Sequence, residues 1–364
     1  MKLKLKTEKL QELVSRAIKG CSNDKMIPLT SLMSVELSEH RLTIATTDAT
    51  NYLFITEDKV DGEDFSVVVT AETFSKLISK MTSESVSLEL NGNYLNVKGN
   101  GDYKIDLPLD EEGEPVKFPR PLDSVDIKTV EANYDIKLTT MKQLLTLNKP
   151  ALATTDDGSC YTGYYAGDSV VTTDSYKICG TAIKLFDEPI LIRPEMMDLL
   201  DVMSSEDIKV YVQNDTIIFA TPDCIVYGKK LEGIEEYKID AISGLLNMDF
   251  PSECSVSRDA LLQALDRLAL FVGQYDKNGI YLTFTREGLM ISSKKSSGTE
   301  VVPYKTSKEF KDFTACINIE MLQTQVKAHT IDEITIQYGL DNALKIVDGN
   351  VTQIIAFIED DRVA

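Results

Sequence analysis

Apolar residues recur along this chain in two rhythms, and the change from one to the other divides it into three similar parts. Leu10, Leu13, Val14, Ala17 and Ile18 stand at helical spacing, which predicts a helix over 7–20 with one buried face. Before it, Leu3-Lys4-Leu5 alternates as a short strand does. The same opening returns at Ile136-Lys137-Leu138 with Met141, Leu144 and Leu145, and again at Cys254-Ser255-Val256 with Leu261, Leu265 and Leu268. A second helix follows in each part. Thr70 stands as an N-cap before Phe74, Leu77, Ile78 and Met81; Arg193-Pro194 opens the next, where proline suits the first helical turn; Asn318 to Ala328 is the third. The six helices are predicted over 7–20, 71–82, 139–149, 194–204, 257–272 and 318–329.

After each second helix the period falls to two. Residues 86–90, 208–212 and 334–338 alternate, with turn signals at Asn91-Gly92 and Asn214-Asp215, and read as antiparallel strands with one face on helices and one in water. Ile44-Ala45-Thr46-Thr47-Asp48 recurs as Val170-Val171-Thr172-Thr173-Asp174, and more faintly as Met290 to Lys294, each copy about 120 residues after the last. The pattern predicts an α+β protein of three repeated domains, each with two helices packed on antiparallel sheet. The acidic, proline-bearing passage Asp110 to Pro121 and the weaker Ile242 to Leu246 mark linkers, which places the domains at 1–125, 126–247 and 248–364.

Composition narrows the class. No apolar run approaches the roughly 20 residues of a membrane span, and Met1 to Lys6 alternates instead of forming a signal peptide, so a cytoplasmic protein without a membrane partner is expected. Six scattered cysteines (Cys21, Cys160, Cys179, Cys224, Cys254, Cys316) include no C-x-x-C pair, which predicts buried free thiols and no metal site. The net charge of −20 argues against nucleic acid if spread evenly. The predicted helices together are close to neutral, so that acidity falls on strands, loops and linkers.

Catalytic patterns are missing. There is no phosphate-binding glycine loop, no nucleophile elbow and no dinucleotide fingerprint. His40 and His329 stand in different repeats without ligand-spaced neighbours, and read as surface or core residues. Asp48 and Asp174 end strands in Thr-Thr-Asp turns, where bonding to the local backbone explains them. Asp156 and Asp157 are an acidic pair beside Gly158 and read as a solvated loop. No cofactor and no enzymatic activity are expected.

Three two-helix repeats, with Met1-Lys2-Leu3, Pro28, Thr47-Asp48, Gly163, Thr173-Asp174-Ser175-Tyr176-Lys177-Ile178, Gly233 with Tyr237, Gly279 and Gly288-Leu289 in this order, resemble the bacterial DNA polymerase III beta subunit, the sliding clamp. The resemblance implies a ring-shaped head-to-tail homodimer, closed around double-stranded DNA without reading its sequence, that tethers the polymerase and clamp loader as a processivity factor. It implies phosphate contacts from Lys9, Arg16, Lys19, Lys25, Lys76, Lys80, Lys142, Lys149, Arg258, Arg267 and Lys327. It also implies a dimer interface with Ile105 and Leu107 against Phe271 and Val272, formed by the edge strand Tyr103–Leu109 and a strand near 299–305. A partner-peptide pocket would be built from Tyr161, Thr173, Ser175, Tyr176, Lys177, Ile178, Ile239, Asp240, Ile355, Ala356, Phe357 and Ile358. The sequence departs from the family at that pocket: Ser175-Tyr176-Lys177 replaces Gly-His-Arg, Glu235 stands where proline is expected, and the chain ends in Glu359-Asp360-Asp361-Arg362-Val363-Ala364. An acidic three-repeat scaffold that binds proteins without encircling DNA is the alternative reading.

Overall fold

The computed structural model describes residues 2–22, 24, 26–124, 131–154, 159–295, 297–306 and 312–360. Its helices are α1 (Thr7–Ala17), α2 (Ala71–Ser79), α3 (Leu138–Asn148), α4 (Pro194–Leu199), α5 (Ile239–Leu246), α6 (Arg258–Leu268) and α7 (Ile319–Ala328). Strands Lys2–Lys6, Tyr134–Lys137 and Ser252–Ser257 run directly into α1, α3 and α6, as the repeated opening predicts. Several helices end in a 3-10 turn, so the long 7–20 and 194–204 predictions resolve into shorter α-helices with tightened ends. Thr70 occupies the N-cap of α2 but makes no side-chain capping bond, whereas Ser257 accepts from the Ala260 N–H at 3.4 Å and Asn318 from that of Met321 at 3.1 Å.

One helix was not expected. Residues 242–246, read as linker, belong to α5. Ile239, Ile242 and Leu246 give it an apolar stripe, but two turns containing Gly244 are too short for periodicity to announce.

The chain forms two compact units. The first contains residues 1–142 and 195–230, the second 143–194 and 231–364. The larger sheet of the first unit orders its strands Phe65–Thr70, Leu32–Ser38, Arg41–Thr47, Asn51–Glu57, Cys224–Lys229, Thr216–Thr221, Asp207–Gln213 and Tyr134–Lys137. A four-stranded sheet runs Lys2–Lys6, Ser85–Asn91, Tyr94–Lys98 and Asp102–Asp106. The larger sheet of the second unit runs Ile190–Ile192, Tyr164–Ala166, Val170–Thr173, Lys177–Thr181, Val351–Ala356, Ala343–Asp348, Glu333–Tyr338, Ser252–Ser257 and Tyr304–Thr306. Its smaller sheet runs Thr299–Val302, Gly288–Ser293, Gly279–Thr285 and Phe313–Asn318. Each large sheet therefore joins strands from two successive repeats. Alternation identifies a strand, but not its neighbour across a repeat boundary.

All six cysteines are free thiols; Cys179, Cys224 and Cys254 are buried, and burial pushes each up to about 12. Among the described residues no helix is long and apolar enough to cross a membrane, and no group of His, Cys, Asp or Glu could hold a metal.

Candidate functional site

The two Thr-Thr-Asp turns are built alike. Thr47 donates its hydroxyl to the Asn51 carbonyl at 2.6 Å, and Asp48 Oδ1 accepts from the N–H groups of Thr50 and Asn51. Thr173 donates to the Lys177 carbonyl at 2.7 Å, and Asp174 Oδ1 accepts from Tyr176 and Lys177. Ala49 and Ser175 take the same left-handed backbone, with φ of 82° and 75°. These aspartates shape turns, as their sequence context predicts. The second turn leaves Ser175 and Tyr176 outside, Tyr176 being 64% exposed, and starts the strand Lys177–Thr181.

Alternation along that strand sorts the expected pocket residues into two groups. Ile178 lies opposite Ile354, and both join Val171, Tyr237, Ile242, Phe250 and Ala343 in one apolar cluster, with Tyr161, Tyr165, Ile239 and Leu246 at its margin. Tyr237 donates to the Val171 carbonyl at 3.1 Å and packs its ring 5.0 Å from Tyr161 and 5.1 Å from Tyr165. Leu246 seats α5 against the sheet over Gly180, where a Cβ would stand 2.5 Å from a Leu246 methyl. Asp240 lies exposed in the first turn of α5.

The remaining expected residues turn elsewhere. Lys177 donates to the Pro150 carbonyl at 2.6 Å and pairs with Asp174 at 3.2 Å, closing the chain just after α3. Ile355 is fully buried in the other core, among Leu344, Ile346 and Val326, and Phe357 packs on that core with its ring 6.0 Å from Phe313. Ala356 is tied to the turn by its N–H to the Tyr176 carbonyl at 2.8 Å, and Ile358 to the Cys316 carbonyl at 2.8 Å. Beyond them Asp360 pairs with Lys294 at 2.7 Å and accepts from the Tyr281 hydroxyl at 3.0 Å, with little of either charged side chain exposed. Burial alone would lower the Lys294 ammonium; the bond and charge of Asp360 together with Cys316 outweigh it and hold Lys294 above its usual range.

The apolar cluster on this face is therefore Ile178, Ile354, Ile242 and Val171, all buried, with Tyr161, Tyr165 and Ile239 at its margin and Tyr176 turned outward. Ile354, Val171, Tyr237 and Ile242 were missing from the sequence expectation. Period-two alternation puts Ile354 and Ile355 on opposite faces, but only the pairing of Ile354 with Ile178 shows which of them joins this cluster.

The expected DNA-facing cations are mostly neutralised within the chain. Lys9 meets Glu12 at 3.1 Å and Glu57 at 2.9 Å, and Lys76 pairs with Glu72. Arg16 pairs with Asp223 at 2.7 Å and donates to the Val202 carbonyl at 2.9 Å. Arg258 pairs with Asp259 at 2.7 Å, Lys327 with Asp266 at 3.5 Å, and Arg267 grips Glu300 through two bonds of 2.7 and 2.5 Å. Lys142 and Lys149 are also engaged. Lys25 lies outside the described residues. Lys19 and Lys80 are exposed without an ion pair among the described residues, and Lys19 borders a hollow lined by Asp48, Glu195, Asp198 and Asp201.

Both expected interface strands are edges of the small sheets: Asp102–Asp106 in the first unit and Thr299–Val302 in the second. Ile105 and Leu107 are only 7% and 8% exposed, so Tyr103 and Leu109 are the accessible apolar side chains at the first edge. At the second edge Leu270, Phe271 and Val301 are exposed and Val272 is half-buried.

Comparison with known proteins follows the same lines. Residues 1–114 match the family of the DNA polymerase III beta subunit, N-terminal domain. The chain is 21% identical over 327 residues to the beta sliding clamp of Bacillus subtilis, covering 83% of each chain. The solved beta subunit of Streptococcus pyogenes superposes with a TM-score of 0.85 at 16% identity, over 99% of this chain and 100% of that one. This chain has the sliding-clamp fold. The DNA polymerase sliding clamp of Pseudomonas aeruginosa, at 14% identity and a TM-score of 0.83, gives the same coverage. The clamp fold thus extends through the middle and C-terminal thirds, which together supply Ile178 and Ile354.

Proposed function

We propose that this chain is a sliding clamp: a non-catalytic, cytoplasmic processivity factor that closes as a head-to-tail dimeric ring around duplex DNA and tethers a replicative polymerase. Agreement with the clamp fold over 99% of the chain carries this reading. It divides the chain into three clamp domains, 1–125, 126–247 and 248–364, whose sheets join end to end. An encircling protein holds DNA by topology, so an inner surface of internally paired charges suffices and an acidic exterior discourages stray contacts.

In this reading the polymerase and loader enter the Ile178–Ile354 groove through a short motif of the Gln-Leu-x-Leu-Phe type. Two apolar anchors contribute about 3 to 6 kcal/mol gross, and ordering a flexible peptide offsets much of it. Affinity in the micromolar range is expected. The alternative, an acidic scaffold that binds only proteins, gives no reason for a clamp fold along the whole chain. Loading onto nicked circular DNA decides between them. A clamp stays on the circle through gel filtration and runs off once the circle is cut; release that is equal from circular and linear DNA would overturn encirclement.

A further inference from the structure

The first unit contains a counterpart of the groove that neither the sequence nor the family resemblance points to. Tyr52 follows Asp48 as Ile178 follows Asp174, and Tyr52 lies opposite Tyr227 as Ile178 lies opposite Ile354. Phe118, in the passage after the small sheet, packs edge-on to Tyr52 at 6.3 Å. That passage crosses the same sheet face that α5 covers in the other repeat. Here it leaves a cavity of about 770 Å³ between itself and the strands, within the ordinary range of ligand sites.

The cavity floor is set by strand register. One cross-strand row is Val68, Ser34, Ala45 and Phe54; the next is Ser66, Glu36 and Thr43. Val116, Phe118 and Pro119 form the roof, and Arg120 closes one side through a 2.7 Å bond to Glu36. Ser34 is 6% exposed and lines the space, yet its hydroxyl meets no partner among the described residues. That hydroxyl opens onto the cavity and can donate to or accept from a ligand there. Asp110, Glu112 and Glu114 add acidity to the rim.

We propose that this cavity is a second docking site, for an extended peptide segment with an aromatic or branched apolar side chain two residues from a lysine or arginine. The apolar side chain would lie over Ala45, Val68 and Phe54 beneath Phe118. The basic side chain, two residues along, would lie over the second row, at Glu36 and the acidic rim, and the peptide backbone would bond the Ser34 hydroxyl. The two rows are two residues apart along each strand, which is roughly 7 Å and matches side chains of an extended chain. The proposal rests on the cavity and the repeat, and stands whether or not the protein encircles DNA.

Methyl-labelled full-length protein titrated with acetyl-Lys-Ser-Phe-Ser-Lys-amide, and with its glutamate counterpart, tests it by NMR. The basic peptide is expected to shift the methyls of Ala45, Val68 and Val116, and the acidic peptide is not. Ser66→Phe, at an exposed strand position, should abolish the shifts, and Glu36→Gln should weaken binding about tenfold, the effect of removing one charge-assisted bond. If Ser66→Phe does not fold, Glu36→Gln alone carries the comparison. Shifts confined to Ala343 and Ile354, shifts of equal size in the Glu36→Gln protein, or no shift at millimolar peptide would each overturn it.

Discussion

Arg16 stands on a helix surface and is spoken for from three directions. Its bonds to Asp223, Glu12 and the Val202 carbonyl leave it 14% exposed, so it fastens α1 to strands that arrive some 200 residues later in the same unit. Burial alone would push Asp223 up, but bonds from Arg16, Ser204 and Thr221 outweigh it and hold the carboxyl below its usual range. A depressed folded-state value adds stability that is present above the unfolded value, about pH 4, and lost as pH falls through the folded one. Arg16→Gln is expected to cost about 2 kcal/mol at neutral pH. In urea titrations that difference should narrow in acid, while DNA retention stays unchanged at neutral pH. Lys80 behaves oppositely: Lys80→Glu should leave stability intact and shorten retention on DNA, and the slope of log affinity against log salt should become shallower by about 0.9 for the one phosphate no longer neutralised. Lys19→Glu should do less, because acidic groups already border it. Sequence could have flagged Glu72 with Lys76 and Glu12 with Arg16, each four apart on a helix. It could not flag Glu57, Asp223 or Glu300, which are brought close only by folding.

Elements follow the same division between local and distant causes. The strand-then-helix openings were legible because their spacing is set within the segment. α5 was not, because its two turns become a helix against Gly180 and the sheet. The groove divides likewise: Tyr161, Ile178 and Ile239 were expected, but the partner on the facing strand is Ile354. Tyr176→Ala should leave stability within about 0.5 kcal/mol of the parent, and fluorescence titration should show partner-peptide affinity reduced about tenfold, as for removal of an aromatic anchor. Ile355→Ala should do the reverse, costing about 3 kcal/mol in a denaturant melt with binding retained. A hairpin supplies a further test. Glu39 and His40 both hold positive φ, 49° and 62°, without a glycine. Asn-Gly at these positions should raise stability by about 0.5 to 1 kcal/mol, read from the thermal midpoint.

For the whole molecule, the proposed ring depends on the edge strands Asp102–Asp106 and Thr299–Val302. Phe271→Ala combined with Val272→Asp should yield monomers in sedimentation at concentrations where the parent is dimeric; an unchanged dimer would place the interface elsewhere. The large sheet of the first unit has another outcome. Asn51–Glu57 and Cys224–Lys229 are zipped by a continuous ladder from Asn51 opposite Gly228 to Ile55 opposite Cys224, so the passage between the repeats is not what keeps them together. The exposed turn at Gly113, with its left-handed φ of 80°, lies in that passage. A protein cut there by a protease should still migrate as one species under native conditions and separate only in denaturant. Residues 1–113 and 114–364, produced as separate polypeptides, would then find each other through that ladder and behave as a split protein that reassembles by complementation.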